Sequence, residues 1–186
     1  MLRRTFAGAL AATALVLPVT TVVSAPSAAA AEILATSLTY DDSQSTQYSS
    51  QISAAVGIWN AAVSNVQIKK ATSGQRANIR FVADPGWPRA NLGPVRPGQQ
   101  VTVWMGREAV DDGYDVIRIA AHEMGHSLGL PDIKPGPCSS LMSGSTGGVD
   151  CKSRTPNASE AARVQRNYAG TLKTVDTSVV VSEAAF

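Results

Sequence analysis

The stretch "AAHEMGHSLGLPDIK", Ala120 to Lys134, holds both histidines of a 186-residue chain. His122 and His126 stand four positions apart, with Glu123 beside the first. Residues four apart on a helix share a face, so the two rings can turn one nitrogen each towards a single point. Glu123, about 100° further round the helix, can reach a water held at that point without being a ligand itself. Metal-assisted hydrolysis needs that division of labour: zinc lowers the pKa of water from about 15.7 to about 7, and a nearby carboxylate takes the proton. The same carboxylate can then protonate a leaving amine.

A catalytic zinc usually has three protein ligands, and there is no further histidine to supply the third. Asp132 lies six residues beyond His126, past Gly129 and Pro131. A helix running straight on would carry it away from the metal; Gly129 can take positive φ, end the helix and reverse the chain. Pro131 restrains the segment just before the ligand. The spacing "HEMGHSLGLPD" is the metzincin pattern with Asp in place of the last His. Glu160, on a later helix, is the rival for third ligand; its competing role is at that helix's own N-terminus.

Working outwards, residues 1–31 carry Arg3 and Arg4, an apolar run broken by Pro18 and a small-residue end, the pattern of a secretory signal peptide. Residues 32–186 then form a single catalytic domain, with about 171–186 a loose tail or an added strand. Sixteen basic residues face fourteen acidic ones, and losing Arg3 and Arg4 with the leader brings the two into balance. A neutral exported surface argues against nucleic acid as a partner. No other stretch is apolar enough to span a bilayer, so no membrane is expected after the leader is removed. The two cysteines, Cys138 and Cys151, pair by default in an exported chain.

The remaining elements follow from periodicity. Ile33 to Tyr40 reads as a strand, and Ile52, Val56, Trp59 and Val63 put one apolar stripe on a helix. Residues 66–71 and 77–83 alternate as two half-buried strands. Residues 84–100 are rich enough in Pro and Gly to read as a surface loop, with Trp87 packed on the sheet in preference to lining a pocket. "VTVWM", 101–105, is a strand, taken as the exposed edge along which a substrate would pair. Helices are expected over 115–128 and from Asn157, with Asn157 or Ser159 as cap.

From His122 through "GPCSSLMSGSTGGVDC" the chain resembles the snapalysin family, small secreted bacterial neutral metalloendopeptidases. The resemblance implies an α+β, metzincin-like fold: a twisted mixed sheet, an active-site helix, a Met-turn and a C-terminal helix. It implies that "LMSG", 141–144, is the Met-turn, with Met142 the apolar floor of the zinc pocket, and that the Cys138–Cys151 disulfide clamps it. It implies a calcium ion on Asp115 and the main-chain carbonyl of Ile117; helix capping by Asp115 is the equal alternative. It also implies a preference for an aromatic residue just after the cleaved bond. Where many relatives have tyrosine two residues after the Asp ligand, this chain has Lys134, expected to point into water.

These readings converge on a secreted, monomeric zinc endopeptidase acting on protein or peptide substrates. The alternatives are a noncatalytic zinc-containing binding module and a zinc hydrolase of other amides or esters. Structural zinc normally takes four protein ligands, and three can be named from the sequence.

Overall fold

In the computed structural model, residues 35–170 and 173–183 are described; the expected signal peptide lies outside them. Six strands form one mixed sheet in the order β2-β1-β3-β5-β4-β6. β1 (Thr36–Gln44), β2 (Val66–Lys70), β3 (Ile79–Asp84) and β5 (Val101–Gly106) run parallel. β4 (Arg89–Asn91) and β6 (Val180–Ser182) close one side as antiparallel strands. The helices are α1 (Ser49–Ala62), α2 (Arg107–Asp111), α3 (Val116–Ser127) and α4 (Ala158–Asn167). No helix among the described residues is long and apolar enough to cross a membrane.

β1 begins later than its composition suggests and runs through "DDSQ", which reads as a turn. Inside the sheet Asp42 is buried and paired with Lys70 at 2.8 Å, while Asp41 and Gln44 pair with β3 across a register shift, so partners override propensity. α1 follows its predicted stripe: Ile52, Val56 and Trp59 are buried, and Val63 is the extended cap. Trp59 also donates its indole N–H to the Ala121 carbonyl at 2.8 Å, tying α1 to the middle of α3. The predicted third helix is α4, with Asn157 accepting from Ser159 N and Glu160 N as its cap.

Two expectations need correction. The 84–100 segment is not simply a surface loop: it contains β4, and Ala90 and Val95 are fully buried. Three residues between Pro88 and Pro94 are too few for alternation to show above the Pro and Gly content. β5 is not an edge, because β3 and β4 flank it and its main chain is committed on both sides. The next strand outward is β4, and β6 pairs along its far side, so of the two readings of the tail, Val180 to Ser182 take the added strand.

The 84–100 segment also seats the end of α3. Gly93 N and Val95 N donate to the carbonyls of His126 and Ser127 at 2.8 and 2.9 Å, taking up acceptors that a helix C-terminus otherwise leaves open.

Candidate metal centre and catalytic cleft

α3 starts where Asp115 accepts from Arg118 N and stops in a Schellman turn: Gly129 N donates to His126 O and Leu130 N to Gly125 O. Gly129 has φ +93°, the left-handed conformation that an L side chain resists. The chain reverses there and brings Asp132 back to the helix face carrying the histidines. The carbonyl of Leu130, in this same turn, contacts His126 Nδ1 at 2.7 Å. His122 Nδ1 lies 2.9 Å from the carbonyl of Leu141. A carbonyl can only accept, so both Nδ1 atoms carry a proton, and in the neutral imidazole Nε2 is left with its lone pair for a metal.

Those lone pairs converge. Asp132 Oδ1 is 3.3 Å from His122 Nε2 and 3.4 Å from His126 Nε2. Tetrahedral zinc with ligand bonds of about 2.0–2.1 Å sets its ligand atoms about 3.3 Å apart, so the three side chains fit the ion. Glu123 is fully buried beside them, with neither carboxylate oxygen hydrogen-bonded within the described residues. A fourth group joins the cluster: Glu183, just after β6, puts Oε1 2.5 Å from His122 Nε2.

The charge balance points to a divalent cation. Asp132, Glu123 and Glu183 crowd one volume, and Lys134 is the cation reaching two of them, 2.9 Å from Glu183 Oε1 and 3.7 Å from Asp132 Oδ2. Three carboxylates against one ammonium leave two negative charges. Burial pushes the Glu123 carboxyl well above the usual carboxylate range, and the carboxylates of Glu183 and Asp132 push the same way. Burial works against a charged His122, but the Glu183 and Asp132 carboxylates outweigh it and raise the ring to about 10. Without a metal, the cluster therefore holds a proton where a cation belongs.

The Met142 turn fits under the histidines. A Cβ on Gly125, between the two rings in sequence, would lie 2.8 Å from Met142 Sδ and 3.2 Å from Trp59, so glycine lets sulfur and indole close against the helix. Glu160 is not in the cluster. Its carboxylate accepts from Ser140 Oγ at 2.6 Å, Met142 N at 3.0 Å, Leu141 N at 3.2 Å and Asn157 N at 2.7 Å. It thereby joins the start of α4 to the turn whose Leu141 carbonyl orients His122. The disulfide joins Cys138 to Cys151 across the same segment.

The sequence profile of the Streptomyces extracellular neutral proteinase (M7) family matches residues 35–171. The chain belongs to this family. It is 35% identical over 139 residues to an extracellular small neutral protease of Streptomyces coelicolor, covering 75% of this chain and 62% of the relative. To the extracellular small neutral protease of Streptomyces caespitosus it is 35% identical over 132 residues, covering 71% of this chain and 96% of the relative. The chain spans about three-fifths of the length of the first of these. Among solved structures it resembles the high choriolytic enzyme 1, a hatching enzyme zinc-protease from Oryzias latipes, with TM-score 0.40 and 22% identity over 55% of this chain and 48% of that one.

Measured against the M7 pattern, three residues carry more than the sequence suggested. Arg118 is buried and donates to Ser140 O at 2.7 Å and Ser143 Oγ at 2.9 Å, and also to Ser153 O. It holds the Met142 turn and the disulfide segment to α3. Lys134 does not point into water: its side chain is 11% exposed and faces the cluster. Glu183 lies outside the family match, in a valine-rich tail without periodicity; a lone acid there gives no signal. Trp87, expected to pack on the sheet, lines the cleft and packs edge-on against Tyr114, which lies outside the sheet. Asp115 is held by Arg154, whose Nη2 and Nε reach the two carboxylate oxygens at 2.5 and 2.9 Å.

Proposed function

We propose that this chain is a secreted zinc endopeptidase in which His122, His126 and Asp132 hold the metal and Glu123 is the general base. The observation that carries this is the pair of imidazoles, each fixed through Nδ1 by a main-chain carbonyl and converging through Nε2 with Asp132 beside a buried, unpartnered carboxylate. That the relatives are extracellular small neutral proteases supports secretion and a peptide substrate.

Zinc held there supplies a Lewis acid that makes water acidic near neutral pH and polarises a carbonyl. Glu123 takes the proton from the attacking water, and its high proton affinity in this buried setting suits it to pass that proton to the departing amine. Lys134 faces the position where negative charge develops on the carbonyl oxygen and stabilises it through space. Arg118 and Glu160 are positioning residues, acting through the Leu141 carbonyl on His122.

Substrate would lie along the β4 edge, Arg89 to Leu92, in place of the β5 edge expected from sequence. The cleft beside His122 and Glu123 is narrow, with a volume of about 20 Å³ open to a water-sized sphere, and is walled by Trp87, Ala109, Tyr114 and Ile119. Its apolar walls suit an aromatic side chain following the cleaved bond once they part to admit one. We read the enzyme as a monomer.

Calcium at Asp115 and the Ile117 carbonyl is part of this proposal and must compete with Arg154. Stripping calcium while zinc is kept saturating should lower Tm; unchanged melting removes calcium from the account.

One observation favours the noncatalytic alternative: with Glu183 the cluster offers four protein ligands, as structural zinc sites do. Against it, the 2.5 Å between Glu183 Oε1 and His122 Nε2 is shorter than the roughly 3.3 Å edge of a tetrahedral zinc site, so Glu183 as placed is not a fourth vertex. Casein hydrolysis by the purified protein, abolished by a zinc chelator and restored by zinc, tests the proposal. No hydrolysis by the zinc-loaded protein, with or without Glu183→Ala, would favour the binding module.

A further inference from the structure

β6 and Glu183 occupy the very edge and the very corner of the cluster that a substrate needs. The register pairs Arg89 with Ser182, Ala90 with Val181 and Asn91 with Val180, antiparallel. Leu92 N donates to Val179 O at 2.7 Å and Glu183 N to Pro88 O at 2.9 Å, extending the ladder at both ends. Bonded pairs alternate in such a ladder, so Ala90–Val181, midway between these two, is a bonded pair. The tail is thus laid down as an extended peptide, main chain to main chain, on the strand next to the metal site.

Glu183 is the anchor. Its side chain is 7% exposed, accepts from Ser145 N at 2.8 Å through Oε2 and meets Lys134 Nζ and His122 Nε2 through Oε1. Gly144, at φ +51°, makes the room: a Cβ there would sit 2.0 Å from Glu183 Oε2. The rest of the tail is held lightly. Val179 and Val180 are 52% and 45% exposed, so the strand buries little apolar surface, and upstream its surface contacts include Arg96 Nε to Lys173 O and Gln99 Nε2 to Val175 O. The whole of β6 lies beyond residue 171, where the family match ends.

We propose that residues 179–183 form an internal, displaceable inhibitor: the strand blocks the β4 edge, and the Glu183 carboxylate takes the place of the substrate carbonyl between Lys134 and the metal cluster. The protein with its tail docked is latent, and a substrate or active-site ligand must first expel the tail. No bond is made or broken in this exchange. The proposal rests on the endopeptidase reading but is tested without relying on turnover.

The test compares the zinc-loaded full chain with Val181→Pro, which removes the central ladder N–H, and with Glu183→Ala, which removes the anchor. Two quantities are read: the affinity for a short peptide hydroxamate by calorimetry, and amide exchange at Leu92, whose N–H the tail covers. We expect slow Leu92 exchange in the wild type, at least tenfold faster exchange in Val181→Pro, and at least tenfold tighter hydroxamate binding in both variants, with zinc content unchanged. Unprotected Leu92 in the wild type, unchanged affinity in both variants, or loss of zinc from Glu183→Ala would overturn the proposal. If the variants bind hydroxamate tightly yet hydrolyse no peptide, the docked tail stands and the endopeptidase reading is what fails.

Discussion

On the helix side of the site, from α3 through the Gly129 turn to the Met142 turn, both imidazoles of the cluster are fixed by a second interaction. On the tail side, Glu183 and Lys134 depend on a three-residue strand and on each other. His126 is oriented by the turn that also returns Asp132, and His122 by a carbonyl whose neighbouring N–H groups are bound to Glu160. Glu183 has Ser145 N, Lys134 and an exposed strand behind it. On the proposed reading, the contrast separates the imidazoles that must be held in place from the tail that must yield for substrate to enter.

Substitutions can break or sharpen this contrast. The largest effect is expected at Asp132: Asp132→Ala removes a ligand, and zinc content and kcat/KM should both collapse, the latter by about a thousandfold or about 4 kcal/mol. Glu160→Ala should do the reverse, keeping zinc stoichiometry while destabilising the fold by about 3 kcal/mol, because Ser140 Oγ, Leu141 N, Met142 N and Asn157 N lose their acceptor. Denaturant unfolding beside metal analysis reads both; zinc lost from Glu160→Ala and kept by Asp132→Ala would exchange the two roles. Lys134→Ala should cost about tenfold in kcat/KM, about 1.4 kcal/mol, with KM little changed. A loss well under threefold would mean that its approach to the cluster serves only the docked tail.

The helix side was legible in the sequence because its constraints are local. Four-residue spacing, a glycine at the reversal and a proline before the aspartate each have one physical reading, and a few residues suffice to state it. The tail side was not legible, because its meaning depends on pairing across about ninety residues. Val179 to Ser182 looks like any valine run until β4 lies beside it, and β4 itself is three residues hidden among prolines and glycines. Arg118 escaped for a related reason: a buried arginine on an apolar helix makes sense only once the carbonyls of Ser140 and Ser153 fold back to receive it. Lys134 was assigned to solvent on residue type alone, whereas the carboxylate of Asp132, two residues before it, and that of the distant Glu183 draw it inward.

The central claim is that Glu123 does the proton chemistry at a metal held by other residues, and Glu123→Gln tests it most directly. With zinc content and casein hydrolysis measured on the same sample, the account predicts one zinc per chain and a kcat/KM lower by about a thousandfold or more. Hydrolysis near the wild-type rate with zinc bound, or a wild-type protein that holds no transition metal when zinc is abundant, would contradict it.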